Sequence, residues 1–191
     1  MGLFGSTYLL PVYMQIALQY APSQAGLVLL PAGIVLAFTM PLAGKLTDRY
    51  APNLLVSFGL GLLALSFALM SDGAPGTTYF ALMAWAIIGR IGLGFVLPSL
   101  SVGAMRGLDA GLIPQGASTI NFLRQLGGAI GVSLAGIVLE WRLAMHHAGL
   151  AVSGADKGER ILAFDETFLF VAVICAVAVV AAWHMRVRQA G

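Results

Sequence analysis

Few side chains in this sequence could do chemistry. The most telling is Arg124, in the middle of the membrane-length stretch PQGASTINFLRQLGGAIGVSLAGIVL from Pro114 to Leu139. At about 100° per residue, Ala117, Ser118, Asn121, Arg124, Gln125, Gly128, Gly131 and Ala135 fall on one polar and small-residue stripe. Leu123, Leu126, Ile130, Leu134 and Ile137 fall opposite, as a face for lipid. Holding an arginine at the bilayer centre costs about 2.5 to 3.5 kcal/mol on insertion scales, so such a residue normally faces a bundle interior or a wet cavity and marks a pathway. A guanidinium flanked by the amides of Asn121 and Gln125 can bind a carboxylate or an anionic molecule. The competing role is structural, an arginine tied to neighbouring carbonyls.

A second arginine, Arg90, sits near the midpoint of another apolar stretch, crowded by Gly89, Gly92 and Gly94. Small residues let helix backbones approach closely, and no strand precedes these glycines, which disposes of a dinucleotide loop. Tyr8, Gln15 and Gln19 share a helical face beside Pro11 and bring amphipathic and amide groups toward an interior or an interface. His146 and His147 are adjacent, but no third ligand stands at a metal-binding spacing. An intramembrane hydrolase needs a nucleophile and a base at bilayer depth. The histidines lie in a loop or, for His184, at a span end, so no enzyme is expected. No cofactor is expected either.

The elements that must position these residues follow from composition. Of the 191 residues 59% are hydrophobic and 9% charged, and the mean hydropathy is +0.91, far outside the range of soluble domains. At about 20 residues per span, six spans predict an all-α membrane bundle in a single domain. They fall at roughly 2–19, 24–43, 54–70, 79–102, 114–139 and 164–185. Ser23 and Asn53 are placed to cap the second and third spans, and Pro114 suits the first turn of the fifth. Pro31 and Pro41 interrupt the second, which is tolerated where neighbours satisfy the freed carbonyls. A polar loop covers 44–53, and a longer one of mixed charge covers 140–163. The net charge of +2 is scattered, so nucleic acid is no partner. The lone Cys175 lies in an apolar run.

Basic residues in short loops set orientation. Lys45, Arg49, Arg106, Arg186 and Arg188 together on one side make both termini cytoplasmic, with the 140–163 loop outside. Every acidic residue then lies outside the spans or at their edges. Two buried cations, Arg90 and Arg124, are left without a carboxylate inside the six helices. The apolar start at Met1, with no flanking anchor, reads as the interior of a longer protein.

GKLTDR, at Gly44 to Arg49, resembles the loop signature of the major facilitator superfamily, G-x-L-x-D-R/K-x-G-R-R/K. Gly44, Leu46, Asp48 and Arg49 match, whereas Ala51, Pro52 and Asn53 replace its later glycine and basic residues. STYLLPVYMQ and NFLRQLGGAIGV are similar to the C-terminal half of the fourteen-span drug/proton antiporters, the EmrB/QacA-like group. That resemblance covers nearly the whole chain. It implies half of a transporter fold, two inverted three-helix repeats with a substrate region at the interface with the other half. Arg124, Asn121 and Gln125, with Arg90 and Tyr8, would face the cavity. Gly44, Asp48 and Arg49 would form a cytoplasmic gating motif in which the Asp48 carboxylate meets a helix N-terminus or Arg106. The implied partners are the lipid bilayer, a small-molecule substrate, protons and an N-terminal half of six to eight spans. The implied function is multidrug-type efflux across the cell membrane by proton antiport. The alternative is a transport-inactive remnant or a membrane assembly partner.

Overall fold

Apolar runs punctuated by Pro, Gly and short polar turns fold into helices packed side by side, because in lipid every backbone polar group must be satisfied within its own segment. The computed structural model of the chain describes residues 8–72, 78–106, 108–146 and 157–184. Residues 2–7 of the expected first span, the turn at 73–77, His147 with the rest of 147–156, and Arg186 and Arg188 lie outside them. The helices are α1 (Tyr8–Ala17), α2 (Pro22–Thr47), α3 (Pro52–Ser71), α4 (Tyr79–Met105), α5 (Ile113–Met145) and α6 (Lys157–His184), with a short 3-10 turn at Ala110–Leu112 before α5. From α2 onward all five are long and apolar enough to cross a membrane. The chain is a multi-pass, all-helical membrane protein.

The helices outrun the expected spans. The second continues through Gly44 to Thr47, so most of the supposed 44–53 loop is helix and only Asp48 to Ala51 connects α2 to α3. Pro31 and Pro41 are accommodated without ending α2, and so is Pro98 within α4. The supposed 140–163 loop is also largely helical among its described residues, because α5 extends to Met145 and α6 starts at Lys157. Charged residues at these ends, Glu140, Arg142 and Glu159 among them, disguised the helices as loop. Caps shift as well. Ala21, not Ser23, precedes α2, and its N–H donates to Gln24 Oε1 at 3.1 Å. Ala51 precedes α3, which puts Asn53 in the first turn.

The first span ends in a π-helical turn, Tyr13–Ala17. The chain leaves it through Gln19 at φ 57°, and the Tyr20 N–H closes onto the Met14 carbonyl at 2.9 Å. A left-handed residue just past a helix end satisfies orphan carbonyls there.

α3 lies at the centre, packed against α4 on one side and α6 on the other, while α2 packs on α4. Glycine permits the first contact. A Cβ on Gly59 would stand 2.6 Å from the Gly92 carbonyl oxygen, and one on Gly92 would stand 2.6 Å from that of Gly59. The crossing is tightened by Ser66, whose hydroxyl donates to the Trp85 carbonyl at 2.7 Å. Gly94 serves α2 in the same way, since a Cβ there would meet Thr39 Cγ2 at 2.6 Å. On the other side an aromatic cluster joins α1, α3 and α6. Tyr13 meets Phe164 and Phe168 edge-on at 5.4 and 5.5 Å, and Phe67 stacks on Phe168 at 6.3 Å. Edge-to-face pairs are worth about 0.5 to 1.5 kcal/mol beyond their burial.

Candidate functional site

α5 is the least supported of the long helices. Its contacts are with α6 and, over a shorter length, with α4. Gly128, Gly131, Ala135, Leu139 and Leu143 form a buried stripe, so the small residues of the sequence stripe hold α5 to the bundle. The polar half of that stripe does not pack. Ser118, Asn121, Arg124 and Gln125 are all exposed. Leu126, Ile130 and Ile137 on the opposite face are about half exposed, at 47%, 50% and 62%. The helix therefore carries an apolar face, a packing stripe and, on the same side as that stripe, an uncovered polar turn.

Within this turn the Arg124 guanidinium donates to Asn121 Oδ1 one turn back. Ser118 and Thr119 return their hydroxyls to the Pro114 and Gln115 carbonyls at 3.0 and 2.9 Å, which leaves them little capacity for other partners. Arg124 borders a groove of about 370 Å³ together with Leu100, Ala104, Ile120, Leu123 and Gly127. The groove runs between the end of α4 and the first half of α5. Leu123, placed by periodicity on the lipid side, is thus one of its walls. The guanidinium is the charged group in a largely apolar hollow, an arrangement suited to an amphipathic or anionic molecule.

The other expected contributors do not join it. Arg90 is half-buried in α4 and forms no hydrogen bond or ion pair among the described residues. At 1.5 Å per residue it lies about 16 Å from the start of α4, whereas the groove is lined by Leu100 and Ala104 near the other end. Tyr8 is 40% exposed at the start of α1, and Gln125 is exposed without lining the groove.

The loop motif is brought to the end of α4. Arg106 Nη2 donates to the Thr47 carbonyl at 2.6 Å. The Thr47 hydroxyl, fully buried, donates to the Ala43 carbonyl at 2.7 Å and lies 3.0 Å from Ser99 Oγ. Asp48 and Arg49 are exposed around an open hollow of about 540 Å³ shared with Leu42, Lys45, Leu46 and Tyr50. Among the described residues Asp48 forms no ion pair. Arg106 grips the carbonyl one residue before Asp48, since four C-terminal carbonyls of α2 have no partner in their own helix. Gly44 is an α2 residue with open space around its Cα.

Sequence reasoning missed three features. Thr47 and Ser99 are small hydroxyl residues with no motif of their own. Glu166 on α6 pairs with Arg142 of α5 and with His146 just past its end, each at 3.3 Å, which ties the two helices at one end. Asp165 lies inside α6, not at its edge, because that helix begins at Lys157. The signal for the last two was the i, i+4 spacing of Arg142 and His146 opposite adjacent acids, hidden by treating 140–163 as loop.

Residues 1–132 match the family model described as Major Facilitator Superfamily. The multidrug resistance protein B homolog of Mycobacterium tuberculosis is 34% identical over 145 residues, 74% of this chain and 27% of that protein. The lincomycin resistance protein LmrB of Listeria innocua is 31% identical over 135 residues, 71% of this chain and 29% of its own. An uncharacterized MFS-type transporter of Bacillus subtilis, YcnB, aligns with 98% of this chain at 26% identity, across 39% of its own length. The chain spans under a third of the length of the first two relatives.

Proposed function

The chain belongs to the major facilitator superfamily, a family of transporters and not of enzymes, and from that premise we propose that it forms the C-terminal six-helix part of a multidrug-efflux-type secondary transporter. The observation that carries this reading is the uncovered polar turn of α5, where Arg124 and Asn121 stand exposed beside a groove of about 370 Å³. A charge at membrane depth is costly unless it faces water, protein or substrate. An N-terminal half of six to eight spans would cover this face and turn the groove into a cavity at the interface between halves. Small, partly apolar molecules would bind there, and protons would drive their exchange. Names of relatives that refer to multidrug and lincomycin resistance support drug-like substrates.

The membrane is the cell membrane, with both termini cytoplasmic. Lys45, Arg49 and Arg106 lie at one end of the bundle, in agreement with a basic cytoplasmic side. At that end the Arg106 to Thr47 contact and the exposed Asp48 and Arg49 form the latch that holds one state of a rocking cycle.

A fusion of this chain to the N-terminal half of the 34%-identical relative tests the reading. Cells producing the fusion should accumulate less of a fluorescent lipophilic cation than cells producing either part alone, and a protonophore should abolish the difference. Accumulation unchanged in the fusion, with the protein present in the membrane, would end the transport reading.

A further inference from the structure

Two polar atoms from different helices are buried without a hydrogen-bond partner where α1 meets α6. They are the Tyr13 hydroxyl and Asp165 Oδ1. Tyr13 is 1% exposed and packs its ring edge-on against Phe164 and Phe168, the residues that flank Asp165 on the same side of α6. Asp165 is close enough for its charge to be felt at Tyr13. α6 has 28 residues, so it is about 42 Å long, and Asp165 lies about 12 Å from its Lys157 end. A hydrocarbon layer of about 30 Å centred on α6 puts this carboxyl about 6 Å inside the boundary.

Among the described residues no cation forms an ion pair with this carboxyl. On α6 itself, Glu166 is taken up by Arg142 of α5 and by His146 just past its end, and Arg160 has a partner of its own. Just past the end of α3 stands Asp72, a like charge within electrostatic reach. α1 contributes the Tyr13 phenol, and Tyr20 lies at the same end. An ionised oxygen buried with no partner is among the costliest groups a membrane protein can hold, and the alternative is to carry a proton. Asp165 as a whole is only partly buried. The α1 side of the contact is a π-helical turn, a distortion frequent at functional sites.

We propose that Asp165, with Tyr13 across the α1–α6 contact, is a reversible proton-binding site in the membrane-embedded part of the bundle. A proton from water forms the O–H bond of the neutral acid and is returned to water when the carboxylate re-forms. No other atom changes hands. The site goes beyond the transport reading, since it requires neither a substrate nor a second half, and its test is independent of transport.

Infrared difference spectra of the full chain in lipid nanodiscs decide the matter. At neutral pH exposed carboxyls, with ordinary values near about 4, are ionised. A carboxylic-acid C=O band should therefore remain that is absent from Asp165→Asn, displaced but present in Asp165→Glu, and retained in Glu166→Gln. The band should vanish as the pH is raised and return when it is lowered. Tyr13→Phe should move its frequency. No such band at neutral pH, or one that survives Asp165→Asn, overturns the proton site. An unmoved band in Tyr13→Phe removes Tyr13 from it.

Discussion

Arg106, just past the end of α4, donates to the main-chain carbonyl of Thr47 at the end of α2 across 2.6 Å, so one helix end is capped by a side chain from the other. The neighbouring link between the Thr47 hydroxyl and Ser99 makes this a two-point attachment. Arg106→Gln should lower the stability of the bundle by about 1 kcal/mol, a typical net value for one hydrogen bond. Thr47→Val should cost about as much, through Ser99 and Ala43. A double-mutant cycle read by thermal unfolding in detergent should show the two losses to be non-additive. Independent losses would mean that the two contacts do not act together.

Gly59→Ala and Gly92→Ala should each be destabilising by about 1 to 3 kcal/mol, the usual penalty of overpacking. Each added Cβ would meet the partner's backbone oxygen at 2.6 Å, and backbone cannot rotate away. Gly61→Ala, where nothing stands within 4 Å, should be neutral or slightly stabilising. Folded yield by fluorescence-detected size exclusion separates these cases, and equal yields would contradict the close crossing of α3 and α4.

Arg142→Gln should weaken the attachment of α5 to α6 by less than about 1 kcal/mol, because both partners of the ion pair are about a third exposed. The loss should shrink at high salt. A larger effect that salt does not change would assign Arg142 a packing role instead.

Much of this architecture was legible in the residues, because a membrane leaves few alternatives to helices. Apolar runs located every long helix, and the small residues Gly128, Gly131 and Ala135, grouped on one stripe by periodicity, are buried on α5. The ends were not legible. Both helices continue past their apolar runs through Glu140, Arg142 and Glu159, and hydropathy reads such turns as loop. For the same reason Asp165 was taken as an edge residue. At the candidate site, Arg124 stands out in the sequence because a charge at membrane depth is costly. Periodicity alone could not tell that Leu123 borders the groove, since the position of α4 decides that. The Thr47 carbonyl that Arg106 grips is a backbone atom, for which no side-chain pattern exists.

Arg124→Ala should leave the chain inserted and folded, because its guanidinium is exposed and its hydrogen bond is local, to Asn121. In the fusion with an N-terminal half, efflux should fall about tenfold to a hundredfold, the equivalent of one hydrogen bond to a charged group. Reduced folded yield with unaltered efflux per molecule would make Arg124 structural.

The most direct measurement is the water accessibility of α5, the helix on which the functional reading rests. In a Cys175→Ala background, single cysteines at Asn121, Gln125, Leu126 and Ile130 are exposed to a membrane-impermeant, water-soluble thiol reagent in native membranes containing the fusion. The account predicts rapid labelling at Asn121→Cys and Gln125→Cys, slowed by substrate, and none at Leu126→Cys or Ile130→Cys. Equal labelling of all four positions, or labelling of none, would contradict a water-facing polar turn at Arg124.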